Sequence, residues 1–283
     1  MSWRERAADI IFVGPFLLFA AAFLVLPSLG LFVQAVTTAH GLSLAPLATL
    51  WSPDHLVAFR NSIEVSVLSA MVGAIGGGIG AWLTLTPGMP RWARALVSTF
   101  SAVAANFAGV PLAFAFIATL GTLGVITGLL KAVGIDIYAA GFSLFHIEGL
   151  VIVYAYFQIP LMLIVITPAL EGLRREWREA AEGLGASTWQ FWQHVGLPVL
   201  LPSLLSAAIL LFGNAFSAYA TPYALTAGNL PLVTIDISNV LSGNVSLSPA
   251  EGAALACGMI VVMAAAMLLY ALLARRVGKW RAR

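Results

Sequence analysis

Charge is scarce in this sequence. Of 283 residues, 9% are Asp, Glu, Lys or Arg, while 60% are hydrophobic. A soluble globular domain carries far more surface charge, so that class is excluded. Cysteine is almost missing. The lone Cys257 excludes an internal disulfide and a cysteine metal cluster. The histidines His40, His55, His146 and His194 are scattered without ligand spacing, so no metal site is expected. A net charge of +2 gives no basic excess for nucleic acid. No G-x-x-x-x-G-K-[ST] loop occurs. Gly278-Lys279 precedes Trp280, so the chain has no ATP-hydrolysing motor of its own. Neither H-E-x-x-H nor G-x-S-x-G is present, and the chain is read as a non-enzyme with no bound cofactor.

What the chain has instead is long apolar runs. A bilayer-crossing helix needs about 20 apolar residues. Six such spans are read over 11–36, 61–86, 95–120, 147–170, 199–220 and 250–274. The fold class is therefore an all-α membrane protein, one transmembrane domain over 1–283. The first apolar run is too long for a signal-peptide core and reads as a retained span. Lys and Arg set the orientation. Twelve lie in the termini and the 87–94 and 171–198 segments, while only Arg60 and Lys131 lie in the opposite set. Both termini and the 171–198 loop are expected on the cytoplasmic side.

Helix ends are also written in the sequence. Asn61 with Glu64, and Ser248-Pro249-Ala250-Glu251, read as helix starts, so their glutamates are assigned to capping rather than to ion binding. Glu148 would open the fourth span, and Asp236 would lie in an outer loop. Residues 122–133 form a candidate interfacial helix. Pro27, Pro111 and Pro160 are expected to kink their spans. In the run Gly76-Gly77-Gly78-Ile79-Gly80, Gly76 and Gly80 read as a helix-packing face rather than a nucleotide loop.

The 171–198 loop is the polar exception. Residues 170–184 at helical spacing place Leu170, Leu173, Trp177, Ala180, Ala181 and Leu184 on one face, with Glu171 and Arg175 as an i,i+4 pair. Gly185 fits a left-handed C-cap, and Ser187 with Gln190 a capping box. A second short helix carrying Trp189, Phe191, Trp192 and Val195 is expected to stop at Gly196-Leu197-Pro198.

The spacing Glu179-Ala180-Ala181, three residues, Gly185, nine residues, Val195, one residue, Leu197-Pro198 resembles the EAA signature of ABC-importer permease subunits. The resemblance covers about residues 10–275 and implies a type I permease fold. It implies a coupling loop that docks on one of two cytoplasmic ATPase subunits, which use ATP and Mg. It also implies a sister permease, with a heterodimer favoured, an extracytoplasmic solute-binding protein, and residence in the bacterial inner membrane. Glu179 would then pair with the ATPase or brace the loop, Ala180 and Ala181 would allow close packing, and Trp189, Phe191 and Trp192 would fill the docking cleft. Asn106, Gln158, Asn214 and Tyr219 are the polar groups placed within spans as candidates for the translocation pathway. The stretch N-F-A-G-V-P at 106–111 is similar to the spermidine/putrescine branch, which favours a polyamine-type solute. Ferric iron, thiamine and aminoalkylphosphonate are the alternatives. An ion-driven secondary transporter would need mid-membrane carboxylates, whereas the acidic groups here fall at helix ends and in loops.

Overall fold

The computed structural model describes residues 13–38, 41–86, 88–241 and 249–281, with backbone alone at 241 and 276–281. The described residues are almost all helical, apart from turns, loops and one pair of two-residue strands. Among the described residues, six helical segments are long and apolar enough to cross a membrane: Val13–Ala35, Pro53–Thr84, Val110–Ala132, Ile147–Glu171, Thr188–Phe216 and Pro249–Arg275. Two compact units are formed, Met1–Val57 with Asp236–Val262, and Ala58–Ile235 with Met263–Arg283.

In the first unit, α1 (Val13–Ala35) is followed by a two-residue hairpin, β1 (Thr37–Thr38) with β2 (Gly41–Leu42), and the short helix α2 (Ala45–Ala48). Its small core joins Leu31 and Ala35 of α1 to Leu47, Leu50, Ala253, Ala254 and Cys257. The rest of α1 is largely uncovered by this chain. Phe16, Leu18 and Phe23 are exposed, as suits a helix facing lipid or another subunit.

The second unit is organised around α7 (Ile147–Glu171). Its first half packs Leu150, Val153, Tyr154 and Phe157 against Val65, Leu112, Ala113, Ala215 and Leu225. Its second half packs Met162, Leu163 and Ile166 against Ala70, Ala81, Ala207 and Leu211. Helix α3 (Pro53–Thr84) approaches α7 through glycines. A Cβ at Gly73 would lie 2.7 Å from Gln158 Cβ, and one at Gly77 would collide with the Ile159 carbonyl and Met162. Gly76 and Gly80, the pair singled out in the sequence, also face α7 but with more room, at 3.1 Å from Ile159 and 3.3 Å from Leu163.

Several sequence-based expectations are corrected. The second span starts at Pro53, with the Ser52 hydroxyl accepting from the His55 amide at 3.4 Å. Asn61 and Glu64 therefore lie inside α3, and the Asn61 amide donates to the Pro231 carbonyl. Tertiary bonding claims this asparagine, so it does not cap. Pro249 heads α12 (Pro249–Arg281) as expected, while Ser248 lies outside the described residues. Glu148 sits in the first turn of α7, where the helix dipole favours a carboxylate. Asp236 lies not in a loop but in α11 (Val233–Leu241).

The third span is interrupted. Helix α4 (Arg91–Asn106) ends, residues 107–109 are non-helical, and α5 (Val110–Leu120) begins. Gly109 has φ +79° and ψ −152°, a conformation that excludes side chains. Pro111 therefore starts a helix instead of kinking one. Helix α6 (Val125–Ala132) occupies the place of the expected interfacial helix. Pro160 is accommodated inside a continuous α7.

Candidate functional site

Between α7 and the next membrane helix lies α8 (Arg175–Gly183). The expected helix from 170 is broken, because α7 runs on to Glu171 and residues 172–174 are non-helical. Glu171 and Arg175 consequently sit on different helices and do not form the expected pair. Arg175 Nε instead donates to Glu179 at 2.9 Å, and Arg178 Nε to Glu182 at 2.9 Å. Both pairs are exposed and steady the helix by about 0.3–0.5 kcal/mol each. The Arg174 guanidinium lies over the Trp177 ring at 5.9 Å. No residue of α8 is buried.

The turn after α8 follows the sequence closely. Gly185 has φ +81°. The Ala186 amide donates to the Ala181 carbonyl and the Gly185 amide to Glu182, which closes the helix in a Schellman motif. Ser187 then caps the next helix. Its hydroxyl accepts from the Gln190 amide at 3.3 Å, and the Gln190 side chain accepts from the Ser187 amide at 2.8 Å. Local hydrogen bonding thus sets the turn between the two helices.

The second helix does not stop at Gly196. It continues as α9 (Thr188–Phe216) through a widened turn at Trp192–Gly196. The Leu197 amide reaches back five residues to the Trp192 carbonyl. That π-turn relieves the clash that Pro198 would make with the preceding turn. The same device occurs in α1, where a π-turn at Ala21–Val25 precedes Pro27. Helix α9 therefore runs unbroken from the loop into the apolar stretch.

The three loop aromatics differ in exposure, with Trp189 72% exposed and Trp192 half-buried. Phe191 is buried within this chain. Trp192 covers Gly196, where a Cβ would lie 2.6 Å from the ring. Trp189 and Trp192 together line an apolar groove of about 550 Å³ with Ile75, Ile79, Trp82 and Leu204. Trp192 thus helps to seat the loop against the bundle, while Trp189 remains largely exposed. Further side chains are open at the apex of the loop. Leu184, at the apex, is 90% exposed, and Glu179 and Ala180 are exposed beside it. A hollow of about 370 Å³ lies next to Leu184, lined by Ala181, Gly185, Gln190, Phe191, His194 and Val195. The sequence signal for Leu184 was its position just before the turn glycine. Leu197 is 46% exposed and Pro198 is exposed at the start of the apolar part of α9.

The four candidate pathway residues separate into two kinds. Gln158 is fully buried and donates to the Leu211 carbonyl at 2.9 Å, which ties α7 to α9. Asn106, Asn214 and Tyr219 are exposed. Asn106 donates to Ala102 of its own helix at 2.9 Å. Tyr219 packs on Tyr223 with ring centroids 5.3 Å apart. Asn106 ends α4, and Tyr219 lies in a second break, between α9 and α10 (Ala220–Thr226). The two breaks touch, because the Gly109 amide donates to Thr221 Oγ1 at 2.7 Å. Among the described residues no His, Cys, Asp and Glu cluster could hold a metal ion.

Comparison with known proteins agrees with this layout. The family of binding-protein-dependent transport system inner membrane components matches residues 73–279. A relative from Helicosporidium sp. subsp. Simulium jonesii, named Probable sulfate transport system permease protein cysT, is 24% identical over 249 residues, covering 87% of each chain. The thiamine transport system permease protein ThiP of Escherichia coli (strain K12) is 26% identical over 156 residues, covering 55% of this chain and 28% of that protein. A solved bacterial ABC transporter that imports the acidic polysaccharide alginate superposes with a TM-score of 0.72 at 20% identity, covering 97% of this chain and 98% of that one. The same fold likeness extends to that transporter in complex with an alginate pentasaccharide-bound periplasmic protein, with a TM-score of 0.72, 19% identity and 97% of each chain covered. With most of its length matched by the family model, the chain belongs to the binding-protein-dependent transport system inner membrane components.

Proposed function

We propose that this chain forms half of the translocation pathway of an ATP-driven importer and takes its drive from a separate cytoplasmic ATPase through the α8 loop. The observation that carries this is the loop itself. A helix with no buried residue, closed by the Gly185 turn, presents Leu184 and Glu179 at its apex and is joined through the reciprocal Ser187–Gln190 cap to α9. Such a unit passes a push on its tip into the membrane as a rigid-body motion. In this reading both termini and the loop face the cytoplasm, a sister permease completes the pathway, and a binding protein delivers the solute from the other side.

The solute in this reading is small and polar. Asn106, Ser217 and Tyr219 at the breaks, and Asn214 in the last turn of α9, offer exposed amide and hydroxyl groups without charge. A polyamine-type solute is the specific proposal that the 106–111 resemblance supports. A sulfate- or thiamine-type solute is the alternative raised by the names of the relatives.

The test is a mild-detergent capture of the tagged chain, followed by mass spectrometry and an ATPase assay. Wild type should bring a P-loop ATPase with it, and Glu179→Arg should lose uptake while remaining in the membrane. Recovery of the chain without any ATPase, from membranes active in uptake, would overturn the reading. Stimulation of ATP turnover by spermidine, sulfate or thiamine, each with its binding protein, then selects the solute.

A further inference from the structure

The contact between the two helix breaks reaches beyond local packing. Each break is followed by a proline in the first turn of the new helix, Pro111 in α5 and Pro222 in α10. Each proline withholds an N–H that a continuous helix would use, so the breaks are fixed by sequence. The freed backbone groups are met by side chains from elsewhere. Gly109 N–H goes to Thr221 Oγ1 at 2.7 Å, and the Ala218 carbonyl accepts from Thr234 Oγ1 at 3.0 Å.

Thr221 behaves unlike most helical hydroxyls of this chain. Ser28, Ser66, Thr119, Thr167, Ser217 and Thr226 all donate to a carbonyl four residues back. Thr221 instead turns across 112 residues of sequence to Gly109, with its Oγ1 also 3.4 Å from the Gly109 carbonyl. It is 3% exposed. Gly109 cannot be replaced without strain, because only glycine takes its conformation. Leu112, Ala113 and Leu225 then pack α5 and α10 into the core around the first half of α7, at the end opposite the α8 loop.

We infer that Thr221 is a positioning residue that makes α5 and α10 one clamp. The clamp holds the exposed groups of the two breaks, Asn106 and Tyr219 among them, in a fixed register. When the pathway opens, α5 and α10 move together and the chain bends at 107–109 and 217–219. This inference rests on the proposed reading of the chain as half of a pathway.

The test has two arms. Amide hydrogen exchange of the 106–113 segment is followed in the purified full chain for wild type, Thr221→Val, Thr221→Ala and Thr221→Ser. Losing the Oγ1 acceptor should speed exchange at Gly109 by at least about fivefold, while the serine variant stays at the wild-type rate. The alanine variant serves if the valine variant does not fold. In the reconstituted importer, the same variants should lower solute moved per ATP by at least about fivefold without lowering ATPase recovery, with serine restoring it. Unchanged exchange in the valine and alanine variants would overturn the clamp. Faster exchange with an unchanged transport ratio would overturn its positioning role. If wild type captures no ATPase, the importer reading fails, and the exchange arm still decides the clamp.

Discussion

The His55 imidazole Nδ1 lies 3.4 Å from a carboxylate oxygen of Asp236, 181 residues away, and links the first turn of α3 to α11. Both side chains are largely shielded, with Asp54 as a further charge nearby. Burial pushes the Asp236 carboxyl above its usual value of 3.8, and the imidazole opposes that shift. A carboxyl whose folded pKa is raised binds its proton more tightly in the native state. Its stabilising contribution is full below 3.8 and is lost as pH rises through the folded value. Thermal unfolding of the chain in nanodiscs should therefore show a stability component that falls as pH rises from 3.8 through the raised folded value. His55→Ala removes the opposing partner and should move that window upward. Asp236→Asn should abolish it. A His55→Ala profile that overlays wild type would show that the pair does not govern the carboxyl.

The glycine seam of α3 makes a sharper stability test. Alanine is the better helix former by about 1 kcal/mol, so propensity alone favours every Gly→Ala change in α3. At Gly77 the new methyl meets the Ile159 carbonyl, which is backbone and cannot yield easily. Overpacking of that kind costs about 1–3 kcal/mol, so Gly77→Ala should lower the melting temperature. At Gly78 the nearest atom is the tip of Met162, 4.0 Å away. Gly78→Ala should be neutral or slightly stabilising. Equal melting temperatures for the two variants would remove the seam as the basis of α3–α7 packing.

Much of the loop was legible in the sequence because its bonds are local. Gly185, Ser187 and Gln190 lie within one six-residue stretch, and their residue types name their geometry. The Pro53 start of α3 was missed because Asn61 and Glu64 imitate a cap, while the true use of Asn61 is a bond to Pro231 far along the chain. The break at 172–174 was missed because Glu171 and Arg175 keep helical spacing across it. Trp192 reads as a docking aromatic in a polar loop, and only the approach of α3 and α7 shows what it covers. The Gly109–Thr221 bond joins residues 112 apart and has no signature in either segment.

At Gly185 the backbone angle and the available space can be separated. No atom lies within 4 Å of where a Cβ would sit, so nothing but the positive φ opposes a side chain. A left-handed residue other than glycine costs about 1–2 kcal/mol, least for asparagine. ATPase recovery should then fall in the order Gly185→Asn, Gly185→Ala, Gly185→Val, with expression unchanged. Equal recovery across the series would show that the Schellman turn is not required for docking.

The apex residue Leu184 tests docking and orientation together. At 90% exposure it contributes almost nothing to this chain's own core, so Leu184→Asp should leave folding intact. An apolar anchor in a partner's cleft is a typical hot spot, and losing it costs about 2 kcal/mol or more, a drop of roughly thirtyfold in affinity. ATPase capture by Leu184→Asp should fall accordingly. For orientation, Cys257 is replaced by alanine and single cysteines are placed at Leu184 and at Leu123, which is 98% exposed before α6. A membrane-impermeant maleimide added to intact cells should label Leu123→Cys. It should label Leu184→Cys only after the membrane is opened. Labelling of Leu184→Cys from outside would invert the topology read from the twelve-to-two charge asymmetry and place the loop beyond reach of any cytoplasmic ATPase.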